Sequence, residues 1–286
     1  MITYKDCSQV SISDIFQAFS IGFSDYVVPL TMSQDEFEQR FFGPEGNSRE
    51  VSFLADDQDR PVGLILGGIR NWDGMLTMRC GTLCIAPDYR GTGVAQALYR
   101  YHLEAAKAQG CRQLFLEVIK GNDRAIRFYK TLGYEPVYDL KYFGAEVKTL
   151  QRQVTSDWPV TSTTYEAIVN LRRSLPDLHI NWQSDVESYA EQEGHQFLSV
   201  QAGETMVGAL AMSPAGKINF LWVSPQHRHQ GIATSLILSG AENLKLDKVN
   251  LCFPSNALVE GFVRHSLFVK AEVEQHEMYH LTTLTT

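Results

Sequence analysis

The chain has 286 residues, which at roughly 150 residues per domain allows two modest domains or one large one. Apolar residues make up 44% and charged residues 20%, as in ordinary globular proteins, which argues against a disordered, collagen-like or coiled-coil chain. A net charge of -8 provides no positive surface for nucleic acid or an anionic membrane, and it mildly favours a neutral or cationic partner.

No apolar stretch approaches the roughly 18 to 20 residues of a membrane-spanning helix, and the N-terminal residues lack the pattern of a secretory signal. We therefore expect a cytoplasmic protein that does not enter a membrane. The five cysteines are odd in number and show no CxxC spacing, which predicts reduced thiols with neither a disulfide framework nor a metal site.

The first half of the chain predicts a helix-rich segment over 13–41, followed by a hairpin whose strands cover 51–55 and 62–66 and whose loop covers 56–61. An apolar strand then leads into a helix in which Val94, Leu98, Tyr101 and Ala105 recur at helical spacing. A further strand over 113–119 precedes a second helix that opens at Asn122. Strands that alternate with helices after a meander are typical of an α/β fold with a mixed sheet.

The second half repeats this order. A helix-rich segment is predicted over 165–192, a hairpin over 196–200 and 206–212, and a strand over 248–253 followed by Asn256. Residues 82–95 and 220–233 match position for position as an apolar strand, Pro, two residues, Arg, two residues, Gly, one residue and Ala. The chain is therefore predicted to be a tandem duplication with its boundary in 149–164, giving domains 1–148 and 160–286.

Gly91 and Gly93 stand where a strand ends and a helix begins. Glycine permits positive φ and close approach, and the start of a helix adds several backbone N–H groups and partial positive charge, so this junction suits a pyrophosphate. The dinucleotide fingerprint GxGxx[GA] fails because Gln96 stands at its last position, and the P-loop pattern is absent from the sequence. An ordinary strand-to-helix turn is the alternative.

The pattern [QR]xxGx[GA] remains, and it occurs twice, over 90–95 and 228–233. A second signature covers 122–134, with an asparagine, then Phe128 and Tyr129, then Gly133 and Tyr134. On these motifs the chain resembles the GNAT superfamily of N-acetyltransferases, and specifically its tandem members. The resemblance implies two fused copies of the GNAT fold, each a mixed, splayed sheet flanked by helices, with acetyl-CoA bound in the opening before the strand 113–119.

The resemblance also implies a set of cofactor contacts. Backbone groups of three strand residues would bond the pantetheine arm, the amides of the following loop would hold the pyrophosphate, and an asparagine would contact the cofactor or cap its helix. These residues are Leu83, Cys84 and Ile85; Arg90, Gly91, Thr92, Gly93, Val94 and Ala95; and Asn122.

Two residues are candidates for the chemistry. Tyr129 matches the tyrosine that protonates the departing CoA thiolate, with a helix aromatic in the core as the alternative. Glu117 lies in phase with Phe115 and Ile119 on the predicted strand, so its side chain could point into the splay. It could deprotonate the acceptor amine directly, act through a water molecule, or be a buried acid with a structural partner.

Asp25, Tyr26 and Glu36 fall in the segment that shapes the acceptor pocket in relatives, and as isolated residues they are expected to be solvated.

The second copy departs from the pattern. Aligning Asn256 with Asn122 places Val263 at Tyr129 and Leu267 at Gly133, and His229 replaces the first glycine of the loop, which predicts the loss of one flexible amide position. His227 and His229 are interpreted as exposed loop residues.

The sequence thus predicts an acetyl-CoA-dependent N-acetyltransferase whose N-terminal copy is catalytic and whose acceptor is a small-molecule or peptide amine. Two alternatives stay open: a CoA-binding or sensing protein without turnover, and an enzyme whose C-terminal half is active. The acceptor and the oligomeric state are not encoded in these motifs.

Overall fold

The structure is a computed structural model that describes residues 1–26, 30–153, 156–190, 192–255 and 257–282. The chain forms two compact units, and neither is a continuous stretch of sequence. The first unit consists of 1–118, 122–137 and 277–286, and the second consists of 119–121 and 138–276. The units therefore differ from the continuous ranges 1–148 and 160–286, because each unit takes in a strand segment from the other half of the sequence. The predicted helix start at Asn256 lies outside the described residues.

The first unit has the predicted order of elements. They are β1 (Thr3–Asp6), α1 (Ile12–Gly22), α2 (Gln34–Phe41), β2 (Ser48–Asp57), β3 (Arg60–Trp72), β4 (Met75–Ile85), α3 (Val94–Ala108), β5 (Gln113–Ile119), α4 (Asp123–Thr131) and the start of β6 (Glu135–Glu146). The strands lie side by side in the order β1 to β5. Strands β1, β2, β3 and β4 pair antiparallel, each with the next. Strand β4 pairs with β5 in parallel, so the sheet is mixed as predicted.

The sheet of the first unit is buried on both faces. Alternate side chains of β3 point to opposite sides, so Leu64 and Leu66 pack with α1 and α2, whereas Ile65 packs with the α3 side. Val94 and Leu98 of α3 are buried as expected, but Tyr101 is 44% exposed and stacks on Tyr4 instead. Helices on both faces of the sheet confirm the α/β class.

The hairpin loop between β2 and β3 is shorter than predicted. The strands pair as far as Asp57 and Arg60, which leaves Gln58 and Asp59 as a two-residue turn with φ of 53° and 62°. Two positive φ values give the turn whose twist matches that of the flanking strands, so the strands can extend into the polar segment. The polar residues 56–61 alone suggested a wider loop.

The second unit repeats the architecture. It contains most of β6, α5 (Val147–Leu150), β7 (Val160–Ser162), α6 (Tyr165–Arg173), β8 (Gln196–Ala202), β9 (Thr205–Met212), β10 (Lys217–Val223), α7 (Ile232–Asn243), β11 (Lys248–Pro254), α8 (Ala257–His265) and much of β12 (Val269–Leu281). Its strands follow the order β6, β11, β10, β9, β8, β7, and β10 pairs with β11 in parallel. The helix-rich segment before β8 is mostly irregular, since only α6 and a short 3-10 helix over 186–189 form there.

Strand segments far apart in sequence complete each unit. In the second unit, β6 pairs with β11 over seven residues, from Lys248 opposite Glu146 to Pro254 opposite Leu140. In the first unit, Met278 is fully buried in the core, and the Thr282 amide donates to the Arg112 carbonyl at 3.0 Å. Hydrophobic periodicity locates such strands but does not encode which sheet they join.

His102 of α3 makes the stability of the first unit depend on pH. It is fully buried, and burial lowers the pKa of its imidazole to about 4. The unfolded chain binds a proton near pH 6.5, so stability is complete above that pH and falls as the pH drops toward 4, by about 2 kcal/mol at pH 5. We expect urea unfolding at pH 7.5 and pH 5 to show this loss, and His102→Gln to reduce it. An equal pH dependence in both proteins would contradict the assignment.

Among the described residues, no helix has both the length and the hydropathy that crossing a membrane requires.

Candidate functional site

A splay between β4 and β5 forms the centre of the candidate site in the first unit. The two strands pair from Thr77 opposite Gln113 to Cys80 opposite Leu116, and the pairing stops there. The register between β3 and β4 shifts at the same level, which leaves Gly81 as a bulge on β4. A β-carbon on Gly81 would lie 2.2 Å from Asn47 Oδ1, so any other residue at this bulge would displace the Asn47 side chain. The edge of β4 beyond Cys80 is thus open to an extended ligand.

The loop after β4 presents backbone amides to a ligand. Gly91 and Gly93 have φ of 79° and 94°, and α3 begins at Val94 with Gly93 as its N-cap. Among the described residues, no acceptor lies within hydrogen-bond distance and angle of the backbone amides from Gly91 to Ala95. An added β-carbon at either glycine would meet no atom within 4 Å. This loop has the geometry of an anion site at a helix start, as the glycine pattern predicts.

Arg90 holds the loop in shape. Its amide donates to the Pro87 carbonyl at 3.3 Å, and its guanidinium donates to the carbonyls of Ile85 and Gly22 at 3.1 Å. The same guanidinium forms a bidentate pair with Asp25 at 2.6 and 2.7 Å. Arg90 therefore fastens the loop to the end of α1, and the amides left for a ligand are those from Gly91 to Ala95.

The three predicted pantetheine contacts lie on the open part of β4. Leu83, Cys84 and Ile85 pair with β3 on one side and have no partner on β5. The Cys84 thiol donates to the Ala18 carbonyl at 3.6 Å, and burial raises its pKa to about 12. Only the backbone of Cys84 is thus available to a ligand. This is what a pantetheine arm bonded along the edge of β4, like an additional strand, requires.

Tyr129 of α4 points toward the end of the β4–β5 pairing. Its hydroxyl lies close to the sulfur of Cys80, the last paired residue of β4. Burial, with Cys80, Tyr26 and Cys84 close by, raises the Tyr129 pKa well above 10, so the hydroxyl keeps its proton. The ring also packs against Tyr134 at 5.7 Å within the core. The structure thus gives Tyr129 both a packing role and a protonated hydroxyl close to sulfur.

Asn122 caps α4 and also contacts the segment after α1. Its side chain accepts from the Ala125 amide at 3.2 Å, which gives the helix its N-cap. The same side chain lies close to the Tyr26 hydroxyl, and burial raises the Tyr26 pKa. Tyr26 is thus near the site and not solvated as expected, whereas Asp25 is exposed, as expected, and pairs with Arg90. Glu36 instead forms a capping box with Ser33 at the start of α2.

Glu117 is a buried acid with a structural partner, which was one of the three alternatives, and it belongs to an ion-pair cluster whose other members were not predicted. Its Oε2 lies 2.6 Å from Nη2 of Arg79 on β4, and its side chain is 3% exposed. The Nη1 of Arg79 lies 3.0 Å from Oε2 of Glu45, which precedes β2. The two carboxylates raise the pKa of the Arg79 guanidinium, and Oε1 of Glu117 is buried with no hydrogen-bond partner in the part of the chain that the structure describes. An arginine within an apolar strand is a sequence signal for such a cluster, because buried arginines require partners.

The second unit keeps the loop but loses the reactive side chains. His229 occupies the Gly91 position with φ of 62°, and Gly231 has φ of 77°, so the expected loss of an amide position is wrong. Val263, at the Tyr129 position, is fully buried. In the first unit, Leu116 is the last residue of β5 that pairs with β4, and Glu117 follows it. In the second unit, Leu251 is the last residue of β11 that pairs with β10, and Cys252 follows it.

The two loop histidines of the second unit have different surroundings. His227 hydrogen-bonds Ser224 at 3.1 Å, and His229 is exposed. Within the described ranges, no three His, Cys, Asp or Glu side chains lie close enough together to hold a metal ion.

Comparison with known proteins finds one family in both halves. Residues 13–134 match the acetyltransferase (GNAT) family, and residues 175–259 match the acetyltransferase (GNAT) domain. A tandem GNAT protein from the clavulanic acid biosynthesis pathway aligns over 98% of both chains with a TM-score of 0.67 and 15% sequence identity. At this identity the likeness shows a shared tandem fold.

Relatives at higher identity match only part of the chain. N-alpha-acetyltransferase 30 of Schizosaccharomyces pombe is 34% identical over 87 residues, which are 30% of this chain and 57% of that protein. Streptothricin acetyltransferase of Streptomyces lavendulae is 29% identical over 92 residues, 32% of this chain and 47% of that protein. The matches thus span about half the length of these two relatives.

Proposed function

Because the chain belongs to the GNAT family of acetyltransferases, with one domain of the family in each half, we propose that it is an N-acetyltransferase. In this proposal the first unit moves the acetyl group of acetyl-CoA to a primary amine. The observation that carries it is the Tyr129 hydroxyl, which keeps its proton and lies close to Cys80, at the point where β4 and β5 separate.

The residues of the first unit fit acetyl-CoA. The amides from Gly91 to Ala95 suit the diphosphate, since they are unpaired and stand at the start of a fifteen-residue helix. The open edge of β4 over Leu83, Cys84 and Ile85 can pair with the amides of a pantetheine arm. Asn122 already accepts a hydrogen bond from the Ala125 amide, so its contribution is to hold α4 and therefore Tyr129 in place.

Acetyl transfer in this site is a direct displacement. The amine nitrogen attacks the thioester carbonyl and forms the C–N bond, and the C–S bond then breaks with its electron pair on sulfur. The Tyr129 hydroxyl donates its proton to that thiolate, and a positioned acid of this kind contributes roughly 100- to 10,000-fold. The proton lost by the amine goes to Glu117 or to water next to it.

The acceptor is proposed only as a primary amine. The cluster of Glu45, Arg79 and Glu117 sits where β4 and β5 begin to separate, and the buried, unpartnered Oε1 of Glu117 can accept a hydrogen bond from an amine. The names of the two relatives above refer to an α-amine and to streptothricin, so they do not select one acceptor for this chain.

Two other functions have support from the second unit, which keeps the loop geometry of the first. One is a CoA-binding or sensing protein without turnover, and the other is an enzyme whose C-terminal half is active. Val263 speaks against the latter, because a valine has no proton to give to a thiolate.

Thiol release in the presence of an amine panel tests the proposal. The panel contains a peptide with a free N-terminus, a peptide with an internal lysine, and small polyamines. We expect saturable release of CoA from acetyl-CoA with at least one class, well above hydrolysis alone. Tight binding of acetyl-CoA with no amine-dependent release would favour the non-catalytic alternative.

A further inference from the structure

The second unit contains a cavity of about 720 Å³, a volume within the range of small-molecule sites. It lies where β10 and β11 separate, because the two strands pair no further than Ile218 opposite Leu251. The strand segments beyond that pairing line the cavity together with the start of α7 and with α8. The walls are mostly apolar and include Trp222 and Phe262, so the cavity suits an apolar ligand.

The charge of the cavity lining is opposite in sign to the net charge of the chain. Among the described residues that line the cavity, none is an aspartate or a glutamate, although the chain has 33 acidic residues against 25 lysines and arginines. The lining instead contains one arginine and four histidines, Arg228, His179, His227, His229 and His265. Because a guanidinium is always protonated in proteins, an apolar cavity with an arginine and no carboxylate favours an anionic ligand over a cationic one.

Arg228 differs from Arg90, its counterpart in the first unit, in its surroundings. Both arginines donate from Nε to the carbonyl five residues earlier, which is Val223 at 3.2 Å and Ile85 at 3.1 Å. The terminal nitrogens of Arg90 pair with the Asp25 carboxylate, whereas those of the partly buried Arg228 have no acceptor among the described residues. A guanidinium away from water is most stable when a carboxylate accepts two parallel hydrogen bonds from it. A ligand carboxylate can therefore supply in the second unit what Asp25 supplies in the first.

We propose that the second unit binds a medium-chain alkyl carboxylic acid without reaction. The carboxylate accepts hydrogen bonds from the Arg228 guanidinium, and the alkyl tail lies against Trp222 and Phe262 between the separated ends of β10 and β11. Such a ligand carries its charge on a carboxylate, so it needs neither a nucleotide nor a diphosphate. This site is independent of the proposed catalysis in the first unit.

Alkylation of Cys252 by iodoacetamide reports on this cavity. Cys252 lines the cavity and is partly exposed, whereas the other four cysteines are buried. We expect octanoate to protect Cys252 of the full chain, as measured by mass spectrometry of the Cys252 peptide. Each CH₂ group added from hexanoate to decanoate should lower the half-protecting concentration about three- to fourfold, the factor for one buried methylene. Octanamide and octylammonium have the same tail without the negative charge, and they should protect at least about tenfold more weakly.

Arg228→Met tests where the carboxylate binds. The variant keeps an apolar side chain of similar length without the charge, so the half-protecting concentration of octanoate should rise at least about tenfold, whereas that of octanamide should change little. Arg228→Lys keeps the positive charge and should lose less. Arg264→Met, which changes an exposed arginine of α8 outside the cavity lining, is the matched control and should leave protection unchanged. Equal protection of the wild-type protein by octanoate and octylammonium, octanoate protection that Arg228→Met leaves intact, or protection by acetyl-CoA but not by octanoate would overturn the proposal.

Discussion

Gly93→Asp should lower the affinity of the first unit for acetyl-CoA by at least about 100-fold, the factor expected when two charge-assisted hydrogen bonds are lost. Gly93 is the N-cap of α3 and lies among the unpaired amides from Gly91 to Ala95. An aspartate there places a carboxylate where the diphosphate would bind, and the two negative groups repel each other at short range. Calorimetric titration of acetyl-CoA measures the loss.

The control must carry the same backbone strain, because Gly93 has φ of 94°, and a residue with a side chain in the left-handed region costs roughly 1 to 2 kcal/mol. Gly110, just beyond α3, has φ of 73° and open space around an added β-carbon. Gly110→Asp should therefore lose similar stability but bind acetyl-CoA normally. Gly231→Asp should leave acetyl transfer almost unchanged. Unaltered affinity in folded Gly93→Asp protein would show that acetyl-CoA does not bind through this loop.

The features that local sequence encodes were predictable. The strand over Gln113–Ile119 has the predicted bounds, because a short apolar run between a turn and a polar helix start leaves little choice. The loop after β4 was also predictable, since its glycines occur where the backbone needs positive φ. The duplication followed from two matching segments and the repeated order of the elements around them. These features depend on residues close together in the chain.

The features that depend on distant residues were not predictable. Glu45 lies 34 residues before Arg79 and reaches it only because the segment before β2 folds back over β4. The inclusion of 277–282 in the first unit depends on which sheet edge is available to β12. In the second copy, His229 and Leu267 have left-handed backbones with φ of 62° and 60°, where the first copy uses glycine. A single sequence gives no sign that residues other than glycine adopt this conformation here.

Tyr129→Phe should lower the turnover number by roughly 100- to 10,000-fold, the contribution of a positioned acid, and leave acetyl-CoA affinity nearly unchanged. The substitution removes one oxygen from a ring whose packing against Tyr134 and Phe128 persists. Because the Tyr129 pKa is raised well above 10, the wild-type hydroxyl stays protonated throughout the neutral range. Activity should therefore not decline through Tyr129 ionisation below pH 10. Single-turnover transfer, with binding measured separately, isolates the chemical step.

Tyr134→Phe is the matched control for this prediction. Tyr134 is fully buried in the same core, and burial raises its pKa as well, but its hydroxyl has no hydrogen-bond partner among the described residues. Removing the Tyr134 hydroxyl should therefore cost little or no stability. Only Tyr129→Phe should lose turnover. A decrease of less than about tenfold with the chemical step limiting would mean that solvent protonates the thiolate. Tyr129 would then serve to pack α4 against the sheet, and the thiolate acid would have to be sought elsewhere.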